Sequence, residues 1–233
     1  MLLGGGESCC APAPHPLTLV ALGGPYSNAP DVFRLTRPSA EDVAGFLAGQ
    51  RGRPFSYAEV GATRGAPPPG YTVDHNRVRL GAGGAAFARA RAALRAWRMT
   101  SLGWSDVHPA GAPADPGTVV AVVVRHYGFW SLNACRIVYA VDEDGARDGV
   151  RRSGFAYGTL PDHGVVGEER FTVEWRAADD SVWYDLYAVS RPGHPLARLG
   201  YPLARRLQRR FAEASKRAMV AAVGPIESRR GAA

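Results

Sequence analysis

The order of strand-like and helix-like segments after residue 70 is the feature that most constrains the fold. A strand candidate at 71–80 precedes an amphipathic segment whose apolar residues recur at helical spacing: Phe87, Ala90, Leu94 and Trp97. Six strand candidates follow, at 105–108, 118–127, 135–142, 152–160, 168–176 and 182–190. Asp144-Gly145 and the run at 179–181 are typical of hairpin turns. Because hairpins join neighbouring antiparallel strands, we expect an antiparallel sheet of about seven strands.

A long amphipathic helix is predicted to follow the last strand. It begins near Pro202, since a proline in the first turn of a helix loses no hydrogen bond. Its apolar stripe comprises Leu203, Leu207, Phe211, Ala214 and Ala218, and its basic face carries Arg205, Arg206, Arg209, Arg210, Lys216 and Arg217. The stripe needs an apolar partner, and the sheet is the only large candidate. This layout predicts an α+β helix-grip fold, in which a curved antiparallel sheet wraps the terminal helix and can enclose a cavity.

The N-terminal third is expected to add an extension to this domain. Residues 1–31 are rich in glycine and proline and are predicted to be a disordered tail without a secretory signal. Ser39 followed by Glu41 and Asp42 predicts a capped helix start. We therefore expect one domain at 32–223, with an extension at 32–70 and a second disordered tail at 224–233.

Composition favours a globular protein without a membrane-spanning helix. Apolar residues make up 46% of the chain and charged residues 21%, so a full core can form. No apolar run approaches the roughly 20 residues that a membrane helix needs. Of 28 basic residues only Lys216 is lysine, which indicates GC-rich bacterial coding and weakens the net charge of +7 as a sign of nucleic-acid binding. Three cysteines without disulfide or metal-ligand spacing indicate a cytoplasmic location.

The strand candidate at 118–127 is apolar on both of its faces. A strand of a one-sided antiparallel sheet should alternate between apolar and polar residues. We therefore expect its outer face to be covered, either by residues 32–63 or by a second subunit in a homodimer.

Strand alternation places a few polar groups on an otherwise apolar inner face. Glu169 shares the parity of Phe171 and Trp175, while Tyr157 and Thr159 share the parity of Phe155. The same alternation groups Cys135 and Ile137 with Tyr139, opposite Arg136 and Val138. An apolar interior with few polar anchors is typical of a small-molecule pocket. The alternatives are a tyrosine that belongs to the core and a Glu169 that pairs with an arginine at the rim.

His163 lies in the loop before the strand of Glu169 and could reach the same opening. Histidine titrates near neutral pH and burial raises a carboxyl pKa, so His163, Glu169 and Tyr157 are the candidates for acid–base catalysis. The remaining histidines are scattered and lack metal-ligand spacing, and phosphate-binding and nucleophile-elbow motifs are absent from the sequence. We therefore expect neither a metal nor a cofactor.

Several motifs carry a resemblance to a known family. They are residues 155–163 (FAYGTLPDH), 167–171 (GEERF), 57–63 (YAEVGAT), 133–136 (NACR) and 190–192 (SRP). Over roughly residues 33–220 the chain resembles the bacterial and plant family called domain of unknown function nineteen-ninety. That family resembles the Bet v 1-like, or START-like, helix-grip superfamily, which includes carriers of hydrophobic ligands and polyketide cyclases and dehydratases. The resemblance implies the fold and leaves the activity open. The segment 57–63 is expected to fold back as a lid or as part of the pocket wall.

The sequence favours a protein that binds a small apolar or aromatic molecule between the sheet and the last helix. The residues expected to bind it are Tyr57, Glu59, Thr63, Arg136, Tyr139, Phe155, Tyr157, Thr159, His163, Glu169, Phe171 and Trp175. One alternative is an acid–base enzyme (cyclase, dehydratase or hydrolase) in the same cavity. Another is a membrane-surface or nucleic-acid module that works through the arginine-rich helix, although nucleic acid is disfavoured because exposed aromatic residues do not accompany the arginines.

Overall fold

A single antiparallel sheet organises the computed structural model, which describes residues 32–193 and 201–224. Both predicted tails lie outside these residues, except for Gly224. Seven of the described strands form one continuous path, in agreement with the predicted number, and a two-residue strand pairs beside it. The strands are β1 (Phe33–Arg34), β2 (Thr72–Ala82), β3 (Ser105–His108), β4 (Val119–Arg125), β5 (Trp130–Glu143), β6 (Val150–Thr159), β7 (Val166–Arg176) and β8 (Ser181–Arg191).

The strand order is β2-β8-β7-β6-β5-β4-β3, and every pairing is antiparallel. The hairpins from β4 to β8 place consecutive strands side by side, as the short connections predict. The first long strand pairs with the last, so β2 and β3 form the two edges. The sheet is curled, and the helices α1 (Ala40–Gln50), α2 (Gly83–Arg95) and α3 (Tyr201–Val223) pack on it.

The terminal helix α3 lies against the concave face of the sheet. Ala212, Met219 and Val223 belong to the same buried cluster as the core side chains of the sheet and of α2. The Tyr184 hydroxyl lies 2.8 Å from Ser215 Oγ and ties β8 to the middle of this helix. The predicted helix-grip arrangement is therefore confirmed.

Among the described helices, none combines the length and the apolar character that crossing a bilayer requires.

The two halves of α3 bury different sets of residues. In the second half Ser215 and Met219 are fully enclosed, because their small or flexible side chains let the helix approach the sheet closely. In the first half the predicted stripe of Leu207 and Phe211 faces a cavity, and Leu203 remains 53% exposed. The predicted stripe therefore matches the residues that face the cavity in the first half of α3, but not the residues that face the core in its second half.

Helix α1 covers the outer face of β4 and β5. Ser39 caps this helix as predicted and forms a capping box with Asp42: Ser39 Oγ accepts from the Asp42 amide at 3.1 Å, and Asp42 Oδ2 accepts from the Ser39 amide at 2.8 Å. Val43 then packs in a second apolar cluster whose other members are Ala121, Val123, Leu132, Phe46, Leu47 and Trp130. The expected cover of this strand is thus supplied by the extension of the same chain.

The segment that follows α1 crosses the outer face of β6 and β7 and is held there by Glu168. Glu168 is 3% exposed and accepts from the Tyr57 hydroxyl at 2.7 Å and from the Gly61 amide at 2.8 Å. Its other oxygen accepts from the Thr63 amide at 3.0 Å and from the Thr63 hydroxyl. Four donors on one buried carboxylate satisfy its hydrogen-bonding capacity and fix the extension to the sheet. We call this arrangement the Glu168 clamp.

Candidate functional site

A cavity of about 350 Å³ lies between the first half of α3 and the concave face of the sheet. Its volume is at the small end of the roughly 300–1,000 Å³ that is typical of ligand pockets. Its apolar walls include Val122, Val124, Leu186, Ala188, Leu203, Leu207 and Phe211, and its polar lining includes Asp74, Asn76, Ser131, Asn133, Tyr157, Thr159, His163, Glu169, Ser190 and Gln208. Four of the residues predicted from the sequence are therefore brought together here: Tyr157, Thr159, His163 and Glu169.

The pair of Glu169 and Tyr157 is the main acidic feature of the cavity. The two residues are direct neighbours across β6 and β7, and the Tyr157 hydroxyl donates to Glu169 Oε2 at 2.7 Å. Burial raises the pKa of Glu169 from 4.5 to about 7, and the hydrogen bond from Tyr157 opposes part of that rise. Burial also raises the pKa of Tyr157, so its hydroxyl stays protonated. The pair can accept or release a proton near neutral pH.

His163 lines the same cavity as a neutral imidazole. Its Nδ1 atom accepts from the Val165 amide at 3.0 Å, which leaves Nε2 to carry the proton. Burial lowers the pKa of His163 to about 4. This histidine is therefore a hydrogen-bond donor at neutral pH and does not supply a positive charge to the cavity.

Two polar residues that the sequence analysis did not select lie on the same sheet wall as Glu169, two strands away. Asp74 and Asn76 come from β2, where they share the parity of the core residues Val78 and Leu80. That parity is visible in the sequence and could have identified both. The Arg205 guanidinium donates to Asp74 Oδ1 at 2.6 Å, so an ion pair joins α3 to the edge strand beside the cavity.

Three predicted wall residues lie in the closed core beyond the cavity. Phe171 packs against the rings of Tyr157 and Phe155, with centroids 5.2 Å and 5.6 Å away. Trp175 lies further along β7 and packs on Phe87 of α2 at 5.9 Å. Because α2 covers this end of the sheet, these aromatic side chains close the inner end of the cavity without lining it.

Five further predicted residues lie away from the cavity. Tyr57 and Thr63 hold the Glu168 clamp, Arg136 places its guanidinium 5.3 Å from the Phe55 ring, and exposed Glu59 accepts from Tyr71 at 2.8 Å. Tyr57 contacts Gly158, whose face of β6 is opposite to that of Tyr157. The segment 57–63 is thus neither a lid nor a pocket wall.

Tyr139 lies on the outer face because the alternation of β5 is interrupted. Ile137 pairs with Tyr157, but Tyr139 pairs with the next residue, Ala156, so a bulge falls between them. The Tyr139 hydroxyl lies 2.7 Å from Thr63 Oγ1, at the edge of the Glu168 clamp. One extra residue in a strand reverses the face of every later side chain, and alternation alone does not reveal it.

The chemistry available in the cavity is that of carboxyl groups, imidazole, hydroxyls and amides. In residues 32–193 and 201–224, His, Cys, Asp and Glu side chains form no cluster that could hold a metal ion. The Cys135 thiol is buried, and burial raises its pKa, so it remains protonated. An apolar cavity with an acid and a phenol can bind a small molecule through one or two polar groups, or can move a proton on it.

A curled antiparallel sheet that wraps a terminal helix over a cavity defines a helix-grip protein. A match to the family described as "Domain of unknown function (DUF1990)" covers residues 56–218, and the chain belongs to that family. A "UPF0548 protein" of Deinococcus radiodurans is 40% identical over 206 residues, which cover 83% of this chain and 100% of the relative. A "UPF0548 protein" of Dictyostelium discoideum is 34% identical over 209 residues, which cover 83% of this chain and 96% of the relative.

Solved structures of more distant proteins resemble the chain over about two thirds of its length. A hypothetical protein from Helicobacter pylori superposes with a TM-score of 0.46 at 13% identity and covers 67% of this chain and 91% of its own. The Zhui aromatase/cyclase from Streptomyces sp. R1128 superposes with a TM-score of 0.42 at 15% identity. The match covers 66% of this chain and 93% of the cyclase. The helix-grip assignment itself rests on the strand order and on the position of α3.

Proposed function

We propose that this protein binds a small apolar or aromatic molecule in the cavity between the sheet and α3. The observation that carries the proposal is the cavity of about 350 Å³ with the Glu169–Tyr157 pair on its wall. Apolar side chains supply most of the binding energy in such pockets, and a few polar groups orient the ligand. The proposal places this binding in the cytoplasm, where a reduced Cys135 is stable.

The polar lining indicates which ligand groups the cavity accommodates. Glu169 accepts one hydrogen bond from Tyr157 and has further lone pairs, so it favours a ligand that donates an N–H or an O–H. The Nε2–H of His163 favours a ligand acceptor such as a carbonyl or ether oxygen. A mostly apolar molecule with one donor and one acceptor is therefore the expected class.

A fluorescence titration with N-phenyl-1-naphthylamine tests the proposal. This neutral aromatic amine becomes fluorescent in apolar surroundings, and its N–H can donate to Glu169. The wild-type protein should bind it saturably with one site per chain. Ala188→Trp should weaken binding by at least about tenfold, because Ala188 lines the cavity and the indole would occupy it.

Ala178→Trp is the matched control, since Ala178 is exposed in the turn between β7 and β8. It should bind the amine as wild type does. Absence of saturable binding to the wild-type protein, or equal losses in the two variants, would contradict the proposal.

A second candidate function is acid–base catalysis on the bound molecule. The observation that favours it is a carboxyl group with a pKa of about 7 in hydrogen-bond contact with a protonated phenol. Under this hypothesis Glu169 is the general base and Tyr157 is the general acid of a cyclisation, dehydration or hydrolysis.

Glu169→Gln separates catalysis from simple binding. Wild-type protein and the variant would each be incubated with a small-molecule extract of the source organism, and the extract compared by mass spectrometry. If the protein is an enzyme, the wild type should convert a compound that the variant binds but leaves unchanged. If the two extracts are identical after incubation and both proteins still bind the amine, catalysis is contradicted and only the binding function remains.

A further inference from the structure

Exposed apolar side chains surround the outer end of the cavity. Phe33 on β1 is 54% exposed, Leu203 at the start of α3 is 53% exposed, and Tyr127 in the β4–β5 hairpin is 73% exposed. Phe33 and Leu203 also line the cavity, so this apolar surface is continuous with its interior. Exposed side chains of this size in one place mark a surface with a binding role.

Aromatic packing holds this rim together. The Phe129 ring packs edge-on against Phe33 at 5.8 Å and stacks on His126 at 4.5 Å. His126 is held in turn by a 2.8 Å hydrogen bond to Ser131 Oγ on β5. The rim is therefore an ordered part of the sheet end, joined to the cavity wall.

Arginines lie beside the apolar rim. Arg206, Arg209 and Arg210 are exposed on the first turns of α3, and residues 201–212 contain no acidic side chain. The Arg210 guanidinium lies 4.3 Å from the Trp104 ring and 6.0 Å from the Tyr127 ring. The basic and the apolar groups thus form one surface, which we call the mouth surface.

We propose that the mouth surface docks on a membrane that contains anionic lipids. Apolar side chains flanked by arginines are the combination that binds such an interface, where rings and aliphatic chains enter the headgroup region and guanidinium groups pair with phosphates. RNA would use the arginines and Tyr127 but would gain little from Leu203, whose side chain cannot stack on a base. This goes beyond the proposed function, since it adds a lipid surface as the partner through which an apolar ligand enters or leaves.

Vesicle sedimentation tests the docking. Full-length protein would be mixed with vesicles of phosphatidylcholine alone and with vesicles that also contain phosphatidylglycerol. We expect binding to the anionic vesicles only, and its loss when salt is raised. Arg206→Glu and Tyr127→Ser should each reduce the binding constant about fivefold, and together they should reduce it further. Neither residue lines the cavity.

Two substitutions away from the mouth surface serve as matched controls. Arg147→Glu makes the same charge change in the exposed β5–β6 turn, and Val60→Ser removes an apolar group that is 47% exposed on the extension. Both should bind anionic vesicles as wild type does. Absence of wild-type binding at low salt, equal losses in control and mouth variants, or binding of single-stranded RNA in place of vesicles would overturn the inference.

Titration with N-phenyl-1-naphthylamine in the absence of lipid separates this test from that of the proposed function. The two mouth variants should keep wild-type affinity for the amine. Amine binding without vesicle binding would overturn only the docking, whereas vesicle binding without amine binding would overturn only the cavity function.

Discussion

Glu168 and Glu169 are consecutive carboxylates that β7 directs to opposite faces of the sheet. Glu168 receives four hydrogen bonds from the extension, and this ties the outer layer to the sheet. Glu169 receives one, from Tyr157, and the rest of its surface faces the cavity. Glu168, with four donors, therefore has a structural role, whereas Glu169, with one donor, remains available to a ligand or a proton.

The pH dependence of stability should report the state of Glu169. Its pKa is 4.5 in the unfolded chain and is raised by burial to about 7 in the fold. Between these values the folded protein holds a proton that the unfolded chain has lost, so Glu169 lowers stability as pH rises through this window. At about pH 8 Glu169→Gln should therefore be more stable than wild type by about 1–2 kcal/mol, less than the full shift implies because the side chain partly faces the cavity.

At about pH 4 the two proteins should unfold at the same urea concentration, because both side chains are then neutral. His163, whose pKa falls to about 4 in the fold, destabilises both proteins equally as pH drops below 6.5 and cancels in the difference. A variant that is less stable than wild type at about pH 8 would show that the Glu169 carboxylate is favourably paired.

At the scale of elements, small residues on the outer face of β6 explain where the extension lies. Gly154, Ala156 and Gly158 alternate with the large inner residues, and they leave a shallow strip on which the segment after α1 can pack. A Cβ atom at Gly158 would overlap the Tyr57 hydroxyl. The close approach that the Glu168 clamp requires is therefore possible only with glycine at this position.

Gly158→Ala should destabilise the protein by about 2 kcal/mol, because it forces Tyr57 away from Glu168 and leaves buried donors and acceptors unpaired. Tyr57→Ala removes the hydroxyl and makes room for the added methyl group. The Gly158→Ala substitution should therefore cost much less in the Tyr57→Ala background, and urea unfolding of the four proteins measures this coupling. Equal costs in both backgrounds would show that the extension does not lie over Gly158.

The elements differ in how far the sequence predicts them. Strand alternation and the Ser39 cap are local, so the strands and the start of α1 follow from short segments. The bulge after Ile137 depends on how β5 pairs with β6, and the path of the extension depends on the strip that two paired strands present. These features arise only after the sheet has assembled, so strand alternation alone does not place Tyr57, Thr63 and Tyr139 on its outer side.

For the whole molecule, the helix grip divides the space under α3 into a closed core and an open cavity. The second half of the helix and α2 close over the sheet residues Phe155, Phe171 and Trp175, which fill the core. The first half leaves the cavity above Glu169. The sequence predicts that Glu169 and Tyr157 share an inner face, but it does not predict where the core ends, because this depends on how closely the helix approaches the sheet.

Methyl chemical-shift mapping with N-phenyl-1-naphthylamine tests most directly whether this cavity is the binding site. Saturating amine should shift the methyl signals of Val122, Val124, Leu186 and Leu207, which line the cavity. The signals of Val123 and Leu132, which lie under α1 on the outer face, should stay unchanged. Shifts that fall on the outer-face methyls, or unchanged signals throughout, would contradict the claim that the space between α3 and the sheet receives a ligand.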